Sequence, residues 1–210
     1  MTFPYDTNSY AEPEILEGDD IVLVPLNPEQ DYQQVYDAVT HIDSLFEWMP
    51  YGPFKNAEEY RNFLEGPRIQ QDKATLLHII KSKRDGNRII GVIAYLNTDV
   101  TNKTIEVGHV CIHPDFQGSY VTSEATYLLA RHAFDDLGYD RLWWKCNNRN
   151  LKSRYAAERM GLSFEGVLRK HMIVKGVSRD SAILSIIDDE WPQAKKQLEE
   201  RIAKKKRVGQ

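Results

Sequence analysis

The sequence predicts an α+β (mixed α/β) domain in which a mostly antiparallel, twisted central sheet is flanked by helices. Three observations carry this. Short β-branched runs are separated by turn clusters through the first half, and Arg84-Asp85-Gly86-Asn87 is the strongest hairpin signal. After Pro114 the apolar spacing becomes helical, with Ala125, Leu128, Leu129, His132 and Ala133 on one face. Strand and helix patterns then alternate along the rest of the chain.

Residues 1–18 are polar, include Pro4 and Pro13, and read as a flexible arm. Ile21-Val22-Leu23-Val24 is a first strand. Pro28 opens a helix to about Val39, with Val35, Ala38 and Val39 spaced for one buried face. Residues 45–54 are aromatic yet broken by Pro50, Gly52 and Pro53, which predicts an ordered, partly buried loop. Asn56 caps a second helix, which carries Glu58 and Glu59 in its first turn and ends near Gly66-Pro67. Residues 75–83, 88–96 and 104–112 read as three consecutive antiparallel strands. A helix entering at Val121 ends at Gly138, and residues 140–146 form a strand containing Trp143 and Trp144. Asn150 caps a further helix that Gly161 ends. Residues 164–168 and 171–174 are short strands, Lys175-Gly176 starts a turn, and 182–187 is a final strand. The expected organisation is one domain over 19–190, with a charged helix or tail over 191–210.

Composition narrows the function classes. The chain has 27 basic and 31 acidic residues, a net charge of −4, so nothing global favours nucleic acid. Cys111 and Cys146 sit in apolar runs, which suits buried thiols in a reducing compartment and makes neither a disulfide framework nor a metal site. Residues 1–18 lack the basic start and apolar core of a signal peptide. No stretch approaches the roughly 20 apolar residues of a membrane span. A cytoplasmic protein with no membrane partner is expected. Lys204-Lys205-Lys206-Arg207 reads either as a nuclear-import patch or as a solvated helix end whose charge suits the dipole.

The most informative segment runs from Ile105 to Ala125. A strand ends at Cys111-Ile112, a polar turn follows through Gln117, Gly118, Ser119 and Tyr120, and a helix begins at Val121-Thr122. N–H groups at a helix start lack intrahelical partners and, with the dipole, suit a phosphate. The plain alternative is a helix start capped by Thr122 or Ser123. In the later helix, Ser153, Ala156, Ala157 and Met160 share one small, mostly apolar face, so the Ser153 hydroxyl needs a partner. Alternation places Glu106, Gly108 and Val110 on one face of their strand and His109 on the other, as an interior histidine.

These residues resemble the GNAT acetyltransferases, and within them the branch of ribosomal-protein N-terminal acetyltransferases. The resemblance covers roughly residues 20–190. Gln117 matches the first position of that family's pyrophosphate signature, while Tyr120 and Thr122 replace its small residues. Ser123-Glu124-Ala125, Arg131-His132-Ala133-Phe134, Asn150-Leu151-Lys152-Ser153, Glu158-Arg159-Met160-Gly161 and Phe164-Glu165-Gly166-Val167-Leu168-Arg169 continue it in order.

The resemblance implies a V-shaped opening for acetyl-CoA between the Glu106 and Trp143 strands. It implies backbone contacts near Cys111, Ile112 and residues 117–122, and Asn150 and Ser153 against the pantetheine arm or sulfur. Asn150 reads equally as a simple N-cap. Glu106 is the implied general base, the alternative being a structural ion pair. Tyr155 lies away from the Ser153 face, which leaves Ser153 or solvent beside the leaving thiolate. Trp48, Tyr51, Phe54 and His171 are candidates for the acceptor pocket, the alternative for the aromatic loop being a satellite core. The implied reaction is transfer of an acetyl group to a small-molecule amine or a protein N-terminus, by a monomer or homodimer. A non-catalytic acyl-CoA-binding relative and a nucleic-acid-binding protein using the basic tail are the competing classes.

Overall fold

The computed structural model describes residues 10–208 of the 210-residue chain. Its strands form one eight-stranded sheet in the order β1-β2-β3-β4-β5-β6-β8-β7. These are β1 (Leu16–Glu17), β2 (Ile21–Pro25), β3 (Leu76–Ser82), β4 (Arg88–Asp99), β5 (Thr104–Ile112), β6 (Arg141–Asn147), β7 (Ser163–Val174) and β8 (Val177–Ile187). The helices are α1 (Pro28–Val35), α2 (Ala57–Leu64), α3 (Val121–Arg131), α4 (Leu151–Arg159) and α5 (Trp191–Val208).

The two faces of the sheet carry two cores. Val35, Val39, Phe46, Phe54, Tyr60 and Leu64 pack on Ile79, Val92, Ala94 and Cys111, so α1, α2 and the aromatic loop cover one face. On the other, Val121, Ala125, Leu128, Ala157, Met160, Trp191, Ala194 and Leu198 pack on Ile80, Ile93, Ile105 and Leu142, bringing α3, α4 and α5 together. α5 therefore belongs to the helical layer of the domain and not to an appended tail.

Three expected element bounds need correction. Residues 1–9 of the expected arm lie outside the described residues, but Leu16 is 7% exposed and pairs with Leu23, so the sheet begins earlier than its β-branched signal. The strands expected at 164–168 and 171–174 are one strand, β7, broken by an irregularity between Leu168 and Met172. There Lys170 adopts φ 50° and its N–H turns to Asp180 Oδ1 at 2.7 Å. β8 starts at Val177, because the ladder with β7 carries polar Ser178 and Arg179 into the strand.

Two features shape the site. β5 pairs in parallel with β6 only through Thr104–Arg141, Ile105–Leu142 and Glu106–Trp143, after which no pairing joins the two strands. Every other neighbouring pair is antiparallel. The second feature is a bulge in β5. Val92 faces Cys111 and Ala94 faces Gly108, so His109 and Val110 together oppose Ile93, and His109 takes φ 50°. One extra residue reverses the alternation. Ile105 and Val107 lie in the α3–α5 core, and so do Val110 and Ile112. The expectation of Val110 beside Glu106 and His109 opposite is thus overturned: Val110 crosses to the helix α3 side, and His109 stacks on Tyr51 and Phe63 of the α1–α2 side.

Opposite the bulge, β4 passes close to β5 at Gly91. A Cβ there would lie 2.7 Å from Cys111 O and 2.9 Å from Ile112 Cδ1. Gly91→Ala should therefore destabilise the chain by about 1–3 kcal/mol through overpacking, read as a lower urea midpoint with an unchanged m-value. A midpoint equal to the parent's would show that the strands yield freely here.

Candidate active site

The turn between β5 and α3 is fixed from several sides. Gln117 Nε2 donates to Ile112 O at 3.1 Å, tying the turn to the strand end. Ser119 Oγ donates to Phe116 O at 2.6 Å and accepts from Val121 N–H at 3.2 Å. Ser119 is thus the residue that caps this helix start, in place of the Thr122 or Ser123 cap expected. Gly118 has φ 74° with open space around its Cα, a backbone that disfavours any side chain. Among the described residues the N–H groups of Gly118, Ser119 and Tyr120 donate to no protein acceptor. With the N–H of Thr122 in the first turn of α3, they form a row of donors at a positive helix end, which fits a pyrophosphate. Val121 is 1% exposed, so it offers only its backbone.

Tyr120, where the signature has glycine, does not fill this row. Its ring lies between the Arg84 guanidinium at 5.6 Å and Lys206 Nζ at 5.4 Å. Both cations belong to a network with Asp20 and Glu124: Arg84 Nε lies 2.7 Å from Asp20 Oδ1, and Lys206 Nζ lies 2.9 Å from Asp20 Oδ2 and 3.1 Å from Glu124 Oε2. Burial raises the Asp20 carboxyl, but the bonds from Arg84 and Lys206 outweigh it and leave the group below its ordinary value. Lys205 Nζ, next along α5, donates to Gly118 O and Ser119 O, each at 2.7 Å. Lys205 and Lys206 are therefore docked on the loop and its network, while Lys204 and Arg207 of the same run are exposed, as at a solvated helix end.

Beyond the loop the unpaired edge of β5 faces the wedge. His113 N–H donates to Ile90 O on β4 at 2.9 Å. Alternation then turns Cys111 N–H toward β4 and Ile112 N–H toward the wedge. Ile112 is thus the usable donor of the expected pair, whereas the Cys111 thiol is buried with its pKa pushed up to about 12. Across the wedge, Trp144 Nε1 donates to Ser153 Oγ at 3.0 Å. The Ser153 hydroxyl thus has its partner within the protein, and it also lies beside the Cys146 thiol, whose pKa it helps to lower against the effect of burial. Asn150 Oδ1 caps α4 by accepting from Ser153 N–H at 3.1 Å, which leaves its amide NH2 free. Tyr155 is 48% exposed on the outer side of α4.

Glu106 lies at the apex of the wedge, 2% exposed, on the last paired residue before the strands part. Asn97 Nδ2 donates to its Oε2 at 2.6 Å, and Lys145 Nζ stands 3.3 Å from the same oxygen. Burial raises the carboxyl above its ordinary value, and Lys145, Asn97 and Arg179 only partly offset this. Lys145 also lies over the Trp143 ring, at 5.1 Å. His171 Nδ1 bonds Ser181 Oγ at 3.0 Å, and burial, then Lys145 and Arg179, hold its imidazole below the ordinary value. Glu106, His171, Lys145 and Arg179 thus share one electrostatic neighbourhood. Sequence reading missed Asn97, Lys145 and Arg179. The period of β6, which places Lys145 on the Trp143 face, could have found the second; the polar 177–180 stretch gives no signal for the third.

The aromatic loop divides. Phe54 is 6% exposed and packs on Phe46, Tyr60 and Phe63, so it belongs to the satellite core and cannot line an open pocket. Trp48 is half-buried on the same loop. Tyr51 reaches the bulge: its hydroxyl bonds His109 Nδ1, and the rings stack at 5.1 Å. His109 is deeply buried and its imidazole is pushed down to about 4, so it is neutral at pH 7. Lys175, at the β7–β8 turn, donates to Phe46 O at 2.7 Å, and so ties that hairpin to the aromatic loop. Because His109 Nε2 already lacks a partner, Tyr51→Phe leaves the ring with none. It should cost about 1–3 kcal/mol of stability, measured by urea unfolding; no loss would show that this bond does not hold the bulge.

Among the described residues no group of three His, Cys, Asp or Glu is placed to hold a metal ion, and no helix is long and apolar enough to cross a membrane. Comparison with known proteins matches the family described as "Acetyltransferase (GNAT) domain" over residues 20–163. A Bacillus subtilis (strain 168) protein, YdaF, whose name provisionally makes it a ribosomal N-acetyltransferase, is 32% identical over 107 residues. That match spans 51% of this chain and 57% of YdaF, so the chain aligns with little more than half of that relative. The crystal structure of a GNAT-family protein from Chromobacterium violaceum ATCC 12472, described as a probable acetyltransferase, superposes with a TM-score of 0.84 at 31% identity, covering 91% of this chain and 95% of that one. The microcin C7 self-immunity acetyltransferase MccE, solved with acetyl-CoA and AMP, gives 0.67 at 30% identity over 81% and 93% of the two chains. With the fold, the wedge and the matched span in agreement, the chain belongs to the GNAT family of N-acetyltransferases.

Proposed function

We propose that the chain transfers the acetyl group of acetyl-CoA directly to a primary amine, on a small molecule or a protein N-terminus. The observation that carries this reading is Glu106, a buried carboxylate of raised pKa at the apex of an open parallel-strand wedge. The similarity to MccE, solved with acetyl-CoA, supports the choice of donor. YdaF, named for a ribosomal N-acetyltransferase activity, favours a ribosomal acceptor within that range.

Acetyl-CoA, when bound, supplies an acyl group activated as a thioester. The protein positions it and moves a proton. The N–H groups of Gly118, Ser119, Tyr120 and Thr122 would hold the pyrophosphate, with Asn150 NH2 along the pantetheine arm. Ile112 N–H faces the wedge, where it can polarise a carbonyl oxygen. Glu106 takes the proton of the incoming ammonium, directly or through one water, so that a neutral amine attacks. Its raised pKa makes it a better base than an exposed carboxylate. Ser153, positioned by Trp144, is the hydroxyl that would donate to the departing sulfur. No covalent enzyme intermediate is needed, because both reactants are held together on one strand edge. Tyr51, Trp48 and His171 border the acceptor side, under the hairpin that Lys175 secures.

Two measurements test the reading. In a thiol-release assay with an amine panel, Glu106→Gln should lower kcat/KM by about 10²–10⁴-fold. Full activity at every pH would remove Glu106 from the role of base, and no thermal stabilisation by millimolar acetyl-CoA would sink the reading itself. Lys145→Met deletes the cation that most strongly lowers the Glu106 pKa. The Glu106 pKa should then rise, so the acid limb of kcat/KM moves to higher pH. A limb that stays in place or moves down would show that the pair does not govern the base.

A further inference from the structure

The basic run of α5 does two different things. Lys206 is neutralised by Asp19, Asp20 and Glu124. Lys205 is not: its ammonium rests on the carbonyls of Gly118 and Ser119. One turn earlier on the same face of α5 stands Arg201, and Arg159, at the end of α4, is near enough to repel both cations. Among the described residues neither arginine has an ion-pair partner. Arg201 Nε is buried and bonds nothing. Burial, and then the mutual repulsion of the three cations, pulls Arg201 and Lys205 below their ordinary values, with no carboxylate opposing it. Uncompensated charges are not held together at a loop without cost. The cluster has the character of a site for a multiply charged anion.

Its position says which anion. A trans peptide points its N–H opposite to its C=O. Lys205 holds the carbonyls of Gly118 and Ser119, so the N–H groups of Ser119 and Tyr120 point to the other side of the loop. The donors suited to a pyrophosphate and the cation cluster are therefore two subsites, separated by the thickness of the loop. A ligand filling both carries two distinct phosphate groups, one of them on a flexible extension. Acetyl-CoA has a second such group, the 3′-phosphomonoester of its ribose, close to a dianion at pH 7.

We propose that Arg159 and Arg201, with Lys205, form a subsite for the 3′-phosphate of acetyl-CoA, so that α5 selects the complete coenzyme over its dephosphorylated form. This rests on the acetyl-CoA reading above. The test is calorimetry on the full chain at fixed low salt, with acetyl-CoA and 3′-dephospho-acetyl-CoA as ligands. Acetyl-CoA should bind at least about tenfold tighter, as charge-assisted bonds to a phosphate would give. In the Arg159→Gln/Arg201→Gln variant the ratio of the two Kd values should fall to within about twofold. The Arg159→Lys/Arg201→Lys variant should keep most of the preference. Equal binding of both ligands by the parent overturns this proposal and leaves the acetyl-CoA reading standing, as does a ratio unchanged in the glutamine variant. Binding of neither ligand by the parent overturns both. The parent comparison stands even where a variant does not fold.

Discussion

The parallel junction of β5 and β6 is the constraint on which the site depends. Only three residue pairs join the two strands, and the last contains Glu106. Before it, each strand is fully served by neighbours; after it, the β6-facing edge of β5 has no strand beside it. Unsatisfied N–H groups inside a sheet are costly unless a ligand or water serves them. The gap is thus both a weak seam and a place made for an extended molecule. The bulge at His109 adds to this by turning the strand as it leaves the junction. His109 holds a left-handed backbone there under the Tyr51 hydroxyl.

Charge is arranged around the wedge by need. At the apex, Glu106 is desolvated and accepts from Asn97, with Lys145 near enough to favour ionisation but not to cancel the effect of burial. A carboxyl with such a balance binds its proton more firmly than a surface carboxylate. At the outer end, Asp20, Glu124, Arg84 and Lys206 are matched among themselves and grip Tyr120. That network resolves the departure from the glycine signature, since the tyrosine ring occupies space between cations rather than space over the loop donors.

Helix α5 links the two halves of this design. Trp191 stacks on Phe134 at 5.1 Å and donates to Asp135 Oδ1, anchoring one end, while Lys205 and Lys206 anchor the other on the β5–α3 turn. Gly161 lets α5 approach α4 closely, since a Cβ there would come within 3.2 Å of Ala194 Cβ. A helix that reads as a charged appendage is consequently a strut along the β5–α3 turn.

The sequence by itself determined the order of elements, the three-strand meander, the caps at Asn56 and Asn150, and the helix entering at Val121. Each is a local choice, set by period, cap or turn residues within a few positions. Glu106 is singled out through the family resemblance carried by Glu106 and Gly108, not through a local period. Only the tertiary structure decided the face of Val110 and His109, since one bulge residue reverses the alternation and leaves no mark on composition. It alone brought Lys145 and Arg179 to Glu106, Trp144 to Ser153, Tyr51 to His109, and Lys205 to Gly118. These pairs are 9–87 residues apart or lie on strands whose neighbours are set by sheet order, and contacts across such separations follow from packing rather than from any local pattern.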